Sequence, residues 1–432
     1  MPRFFARIIR RMKSVRFTRH QALLVLAACL LGHLSTVGAA LPYPILPPLF
    51  VGATPGPISA FLGLPVKLLF GIALAVNPLG LLIGASLLGP FSDRHGRRST
   101  LLVTAFGAAF GHALSAWALV AGSYPLFVLA RFATGLAEGN ASVARAMLAD
   151  QIDGPARNQA FAWFNSALYL GWLVGPLLAG ITLGFGVVVP FAVAAVALVI
   201  SGALTRLVLA ADRPARPAAG GGWRVLFQQQ ALGLLADPQV RRVFVPQFLF
   251  TLGLTAFYEF YPVWLVEIPG MDTRGIAWVT AILCLVMSGA SVLAGRLRPR
   301  VPMASSALAA LVSAGCFLMV ALSGARLGLV AIVFAGLPIS LYNALVQAEV
   351  SRRFGDTHGQ GAIMGLVSTV FCISNLLAAL VGAVIAVLDT RAILALGAAC
   401  SLLAAVQLGR LSRRDRLDQS TCVTSMKSGS SA

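Results

Sequence analysis

The chain has 432 residues, 58% of them hydrophobic and only 11% charged, and its mean hydropathy is +0.86. A soluble protein of this length needs a larger charged surface, so a single soluble domain is excluded. The formal charge of +19 raises nucleic acid as a partner, but no basic cluster is interleaved with aromatics on a soluble module, as such binding requires.

A transmembrane helix takes roughly 20 mainly apolar residues, and apolar runs of that length recur along the chain. They predict spans near 20–46, 66–91, 99–121, 124–149, 158–183 and 185–208, followed by 241–266, 273–296, 301–322, 327–350, 360–386 and 391–411. The expected fold is therefore an all-α membrane protein of twelve transmembrane helices in two six-helix bundles, 20–208 and 241–411. A basic tail (1–19) precedes them, a linker (209–240) joins them, and a second tail (412–432) follows. The tail repeats apolar residues every four positions (Phe4, Phe5, Ile8, Ile9, Met12), which suits a short interfacial helix or a solvated topogenic tail. The apolar stretch after it is too long for a signal-peptide core, so the first span is expected to be retained.

With the N-terminus placed in the cytoplasm, 27 of the 33 Lys and Arg residues fall on the cytoplasmic side. The outer loops hold four (Lys67, Arg274, Arg326, Arg391), and Arg131 and Arg145 lie inside the fourth span. This is the positive-inside pattern, and it puts both termini in the cytoplasm. Five of the six cysteines (Cys29, Cys284, Cys316, Cys372, Cys400) lie in apolar spans and Cys422 in the tail, without Cys-x-x-Cys spacing. They read as small core side chains, and neither a metal nor another cofactor is expected.

The linker is rich in Pro, Gly and Arg (Arg213, Pro214, Arg216, Pro217, Gly220 to Gly222), with a short surface helix suggested over Gly222–Leu235. The halves on either side echo each other. Gly84-Ala85-Ser86 recurs as Gly289-Ala290-Ser291, 205 positions on, and Gln159 recurs as Gln360, 201 positions on. A shared offset near 200 argues for a parallel six-plus-six repeat, an arrangement in which the substrate site lies where the halves meet.

The most specific string joins spans two and three: Gly89-Pro-Phe-Ser-Asp93-Arg94-His-Gly96-Arg97-Arg98. Gly89 would allow helices to approach closely, Gly96 a tight turn, and Asp93 would suit a helix N-terminus. Asp93 has no topogenic use, which sets the string apart from ordinary loop charge. Here the sequence resembles the major facilitator superfamily, departing from its loop signature only at Phe91. The resemblance implies a cytoplasmic gate in which Asp93 meets the start of span eleven and Arg97 pairs with Asp150.

In span four, Arg131, Gly135, Glu138, Ser142 and Arg145 lie within about 40° of one direction at 100° per residue. Ionisable groups are expensive in lipid, so the stripe must face protein or water. Glu138 is the candidate proton-coupling group, with Arg131 and Arg145 flanking it and Glu259 of span seven as a second candidate. The alternative is a permanent Glu–Arg pair that fixes helix packing. In span five, Gly171-Trp-Leu-Val-Gly175-Pro176-Leu-Leu-Ala-Gly180 resembles the superfamily signature associated with proton-coupled exporters; generic small-residue packing is its bland reading.

Gln247, Thr251, Thr255 and Glu259 form a polar ridge on span seven beside Tyr258, Tyr261 and Trp264. The ridge suits a cavity wall, whereas Tyr261 and Trp264 equally suit interface anchors. Asn165, Tyr169 and Trp172 share a face of span five, as do Asn343 and Gln347 in span ten; each set would touch a ligand or knit helices together. His33 and His112 read as isolated, packed polar residues. The resemblance is closest to twelve-span drug exporters, including tetracycline–proton antiporters, though those carry an Asp in span one where this chain has Ser35.

These features point to a monomeric inner-membrane transporter that exports drugs or amphipathic metabolites in exchange for protons, with no nucleic-acid partner. Uptake of a small organic anion and a non-transporting receptor are the alternatives. No nucleotide-binding loop and no nucleophile–base arrangement is present, so neither ATP-driven transport nor an enzyme is expected.

Overall fold

The computed structural model describes residues 17–52, 56–209, 231–294, 302–358 and 360–429. The proposed tail helix before residue 17, most of the linker and the 295–301 loop lie outside the described residues. In lipid, every backbone N–H and C=O must find a partner inside the chain, and helices meet that demand segment by segment. Most of the described residues are helical.

Span one is α1 (Arg19–Ala40) followed by α2 (Pro42–Val51), interrupted at Leu41 where Pro42 offers no N–H. Span two is α3 (Val66–His95) and span three α4 (Arg97–Val120). Span four comes in two pieces, α5 (Tyr124–Glu138) and α6 (Ala141–Gln151). Spans five and six are α7 (Gly154–Thr182) and α8 (Val189–Val208). The second set is α9 (Pro238–Glu267), α10 (Thr273–Ala294), α11 (Pro302–Leu322), α12 (Ala325–His358), α13 (Gln360–Leu388) and α14 (Thr390–Gly429). Among the described residues, eleven of the twelve spans are long and apolar enough to cross a bilayer, and the broken fourth is the exception. The last helix continues past residue 411 to Gly429, so the expected C-terminal tail begins as helix.

Sequence-local signals set the starts. Thr18 closes a capping box on α1, its Oγ1 accepting from the Gln21 N–H at 3.2 Å while its own N–H donates to Gln21 Oε1 at 3.1 Å. Ser123 caps α5 and Asp237 caps α9, each followed by Pro in the first turn. Gly96 makes the turn between α3 and α4 at φ +91°, a conformation that residues with a Cβ rarely adopt.

The chain divides into two compact units: Met1–Ile45 with Val76–Gly221, and Leu46–Ala75 with Gly222–Ala432. In the first, α1 packs on α7 and α8, and α4 on α5 and α8, around Leu24, Leu31, Leu101, Met147, Leu148, Phe164 and Leu198. In the second, α9 and α11 pack on α14, α10 and α11 on α12, and α13 on α9. Residues 46–75, expected with the first bundle, group with the second unit. Phe70 places its ring edge-on 6.1 Å from both Phe50 and Phe260, and Lys67 Nζ lies 2.7 Å from Glu267 and 3.0 Å from Thr390 Oγ1.

Candidate functional site

In the first unit, α3 and α5 cross on glycines. A Cβ on Gly80 or Gly84 would stand 2.4 or 2.2 Å from a backbone oxygen of α5, and one on Gly135 would stand 2.2 Å from the Asn77 carbonyl. Gly89, expected to be a point of close approach, is not one: a Cβ there meets nothing within 4 Å. The close crossing brings Asn77 beside Glu138, a residue 4% exposed at the C-terminal end of α5. Asn77 Nδ2 donates to Glu138 Oε2 at 3.1 Å. On the other side, His112 Nε2 of α4 lies 3.2 Å from Glu138 Oε1, and His112 is completely buried. Gly38 of α1 covers both groups; a Cβ on it would sit 2.3 Å from His112 Nε2 and 2.8 Å from Glu138 Oε1.

The continuous stripe expected along span four does not exist. Helix α5 stops at Glu138, and Gly139 and Asn140, both poor helix formers, precede α6. Asn140 is buried and turns its Nδ2 to Ser35 Oγ at 3.3 Å and Thr104 Oγ1 at 3.4 Å. Beyond this break, Arg145 does not flank Glu138. Its Nη2 donates to Asn165 Oδ1 at 3.2 Å and its guanidinium lies 5.7 Å from the Phe164 ring centre. Arg131 is two helical turns from Glu138, about 10 Å along α5. It is 3% exposed, its Nε and Nη1 lack hydrogen-bond partners among the described residues, and it faces Glu138 and Tyr43. The permanent Glu–Arg pair is thus replaced by a Glu–His–Asn cluster with an arginine at a distance. His112, read from sequence as isolated, is one of its members. No periodicity links positions 112 and 138; only the burial of an ionisable ring in mid-span signalled it. His33 is the packed polar residue expected, with Nδ1 3.0 Å from the Ala167 carbonyl.

Gly171 and Gly175 lie against α1. A Cβ on Gly171 would meet Thr36 Cβ at 2.6 Å, and one on Gly175 would meet Ala40 Cβ at 2.8 Å. Pro176 is buried next to them and Gly180 half-buried. At the α3–α4 turn, Arg97 Nη1 is 2.6 Å from Asp93 Oδ1 and its Nε 3.1 Å from Asp150 Oδ2, while Nη1 also reaches Ser92 Oγ. Arg98 donates to the Arg206 carbonyl at 2.6 Å, and Arg94 is exposed.

In the second unit, the polar ridge of α9 is packed in protein. Tyr342 donates to Gln247 Oε1 at 2.9 Å, Gln247 donates to Thr251 Oγ1 at 3.2 Å, and Thr255 donates to the Ser374 carbonyl at 3.2 Å. Tyr258 reaches Met287 Sδ and Tyr261 pairs with Thr280. Tyr261 and Trp264 are 2% and 0% exposed, so they are core residues and not interface anchors. Glu259 is 2% exposed and its Oε2 has no hydrogen-bond partner among the described residues. Asn343 and Gln347 are half-buried, and the Tyr169 side chain lies outside the described residues.

Two ion clusters escaped the sequence reading. Glu349, 3% exposed, pairs with Arg352 and Arg353 of its own helix, each at 2.6 Å; spacings of three and four were the available signal. Asp237 accepts from the Gln239 N–H at 2.8 Å and from His358 at 3.1 Å. The backbone hydrogen bond first, and His358 second, hold its carboxyl below the usual range.

The Major Facilitator Superfamily model matches residues 28–379. The chain belongs to the Major Facilitator Superfamily. With eleven long apolar helices among its described residues, it is a multi-pass integral membrane protein. It is 32% identical over 111 residues to the tetracycline resistance protein, class B, of Escherichia coli, a match covering 26% of this chain and 27% of that protein. Matches to classes B, C and E span 27 to 40% of those relatives' lengths. In fold, the chain is similar to the human organic anion transporter MFSD10 (TETRAN; TM-score 0.66, 19% identity, covering 90% of this chain and 99% of that one). It is also similar to a D-xylose-proton symporter (TM-score 0.70, 16% identity, covering 89% and 96%).

Proposed function

We propose that this superfamily member is a secondary active transporter working by alternating access, and that it expels amphipathic small molecules in exchange for protons. The observation that carries this reading is the Glu138 cluster: an ionisable carboxyl sealed among helices, with a second ionisable ring on one oxygen and an amide on the other. Burying a charge without a full counter-charge is costly, and membrane proteins keep such groups where protons or ions must pass. The tetracycline resistance relatives support the direction of transport. The fifth-span glycines support it too, since Gly171 and Gly175 seat α7 directly on α1, the helix that covers the cluster. Ser35 supplies only a neutral hydroxyl, bonded to Asn140, so span one adds no carboxylate to the coupling site. The loop charges support an orientation with both termini in the cytoplasm, and we take the protein as a monomer of the cytoplasmic membrane.

The test uses proteoliposomes with an imposed pH gradient and ethidium as an amphipathic cation. The wild-type chain is expected to release protons when ethidium is added, and Glu138→Gln to abolish that release. Proton release that survives Glu138→Gln removes this cluster from coupling. A second reading, transport of an organic anion, draws on Arg131, whose Nε and Nη1 have no hydrogen-bond partner among the described residues, and on the likeness to the human organic anion transporter. Fluorescein uptake that depends on Arg131, with no ethidium export, would favour it.

A further inference from the structure

Two of the cluster's groups are able to hold a proton, and the geometry distinguishes them. Asn77 offers only N–H to Glu138 Oε2 at 3.1 Å, so that oxygen is an acceptor. Arg131 faces the carboxyl and adds positive charge from two turns away. Glu138 Oε1 faces His112 Nε2 at 3.2 Å, and with the carboxylate as acceptor, Nε2 carries the hydrogen. The remaining ring nitrogen, Nδ1, is enclosed and has no hydrogen-bond partner among the described residues. Placing a hydrogen there in this conformation would bury an unsatisfied donor next to the ring of Phe191, whose centre is 6.4 Å from that of His112.

We propose that His112 carries the coupling proton, loaded on Nδ1, and that Glu138 is the positioning residue that holds the imidazole by Nε2. The proposal rests on the reading of the chain as a proton-coupled transporter and adds to it the atom that changes state. In the sealed conformation Nδ1 keeps its lone pair and the ring is neutral. When the cluster opens to water, a proton adds to that lone pair, and the imidazolium it forms is balanced by Glu138. Closing the cluster again requires that proton to leave to water or to keep a partner for Nδ1. Loading is therefore tied to conformation. The elements packed around the ring bring few other titratable groups. Helix α5 brings Glu138 and Arg131, α2 brings Tyr43 on the far side of Arg131, and α1, α3 and α8 bring Gly38, Asn77 and Phe191, which do not titrate.

The experiment is nitrogen NMR of ¹⁵N-histidine-labelled protein in lipid nanodiscs. His20, His33, His95 and His358 are changed to Gln so that His112 is the one imidazole left. At alkaline pH the ring is expected to show a protonated Nε2 and a bare Nδ1; on acidification both nitrogens become protonated, and Glu138→Gln displaces the midpoint. In proteoliposomes, His112→Gln is expected to abolish ethidium-induced proton release and to flatten its pH profile. Nδ1 remaining bare at acid pH, with the infrared stretch of a protonated Glu138 carboxyl appearing instead, overturns the proposal. So does wild-type proton release by His112→Gln. A wild-type chain that releases no protons, yet whose Nδ1 titrates as described, would overturn the transport reading and leave the assignment of the proton-accepting atom standing.

Discussion

The two units each bury a carboxyl in a helix, and the two are treated in opposite ways. Glu138 has an amide on one oxygen and an imidazole on the other, with an arginine further along the same helix. Glu259 is as deeply buried, yet one of its oxygens meets no donor and no cation pairs with it among the described residues. An interior without a counter-charge favours the neutral acid, because burying the protonated carboxyl costs far less than burying the anion. The difference teaches that burial alone does not mark a working proton site. A group that must change charge needs partners that can accompany the change, and Glu138 has them where Glu259 does not.

The largest expected effect breaks this comparison outright: Glu138→Gln is expected to abolish ethidium-induced proton release, whereas Glu259→Gln is expected to keep the wild-type pH profile. An amide and a protonated acid are both neutral, so Glu259→Gln should also leave unfolding stability within about 1 kcal/mol. Loss of coupling in Glu259→Gln with retention in Glu138→Gln would reverse the assignment of the two groups.

A smaller effect concerns the helix crossing that delivers Asn77. Gly135→Ala drives a Cβ against the Asn77 carbonyl, a backbone atom that cannot swing aside. Overpacking of this kind costs about 1–3 kcal/mol, readable as a lowered thermal midpoint in detergent. An unchanged midpoint would mean that α3 and α5 are not held at this distance.

The smallest effect lies outside the membrane-spanning segments, at Asp237. Its carboxyl is held below the ordinary range by the Gln239 N–H and by His358. The stability it adds is therefore complete above the unfolded carboxylate value, about 3.9, and is lost as pH falls through the lower folded value. The difference in thermal midpoint between the wild-type chain and Asp237→Asn should shrink on acidification below about pH 4. Growth of the difference towards acid would contradict the sign.

The spans were legible because lipid forces long apolar runs, and the glycines of span five were legible as packing points because small residues have few other uses in a membrane. Their partner was not: nothing in Gly171 or Gly175 says that α1 lies against them. Span four shows the sharper limit. A uniform 100° advance placed Arg145 beside Glu138, but the advance is interrupted at Gly139 and Asn140, where Asn140 bonds Ser35 and Thr104. Composition at two positions outweighed a periodicity drawn over fifteen. His112 was missed for a different reason. Its meaning lies in a contact 26 residues away, and sequence spacing carries no record of which helices become neighbours.

The glycine seams have a further consequence for how the first unit can move. Gly80, Gly84 and Gly135 press α3 and α5 together backbone to backbone, and Gly32, Gly171 and Gly175 join α1 to α7 almost as closely. Each doublet resists sliding, since any axial shift brings a carbonyl or a β-carbon into the space of its neighbour. The unit is then better described as two rigid staves than as a loose bundle. Gly38 belongs to one stave and Glu138 to the other, and Asn140 reaches Ser35 across the same gap. Spin labels placed on opposite staves should therefore report distance changes during turnover, while a pair on the same stave should stay at one separation.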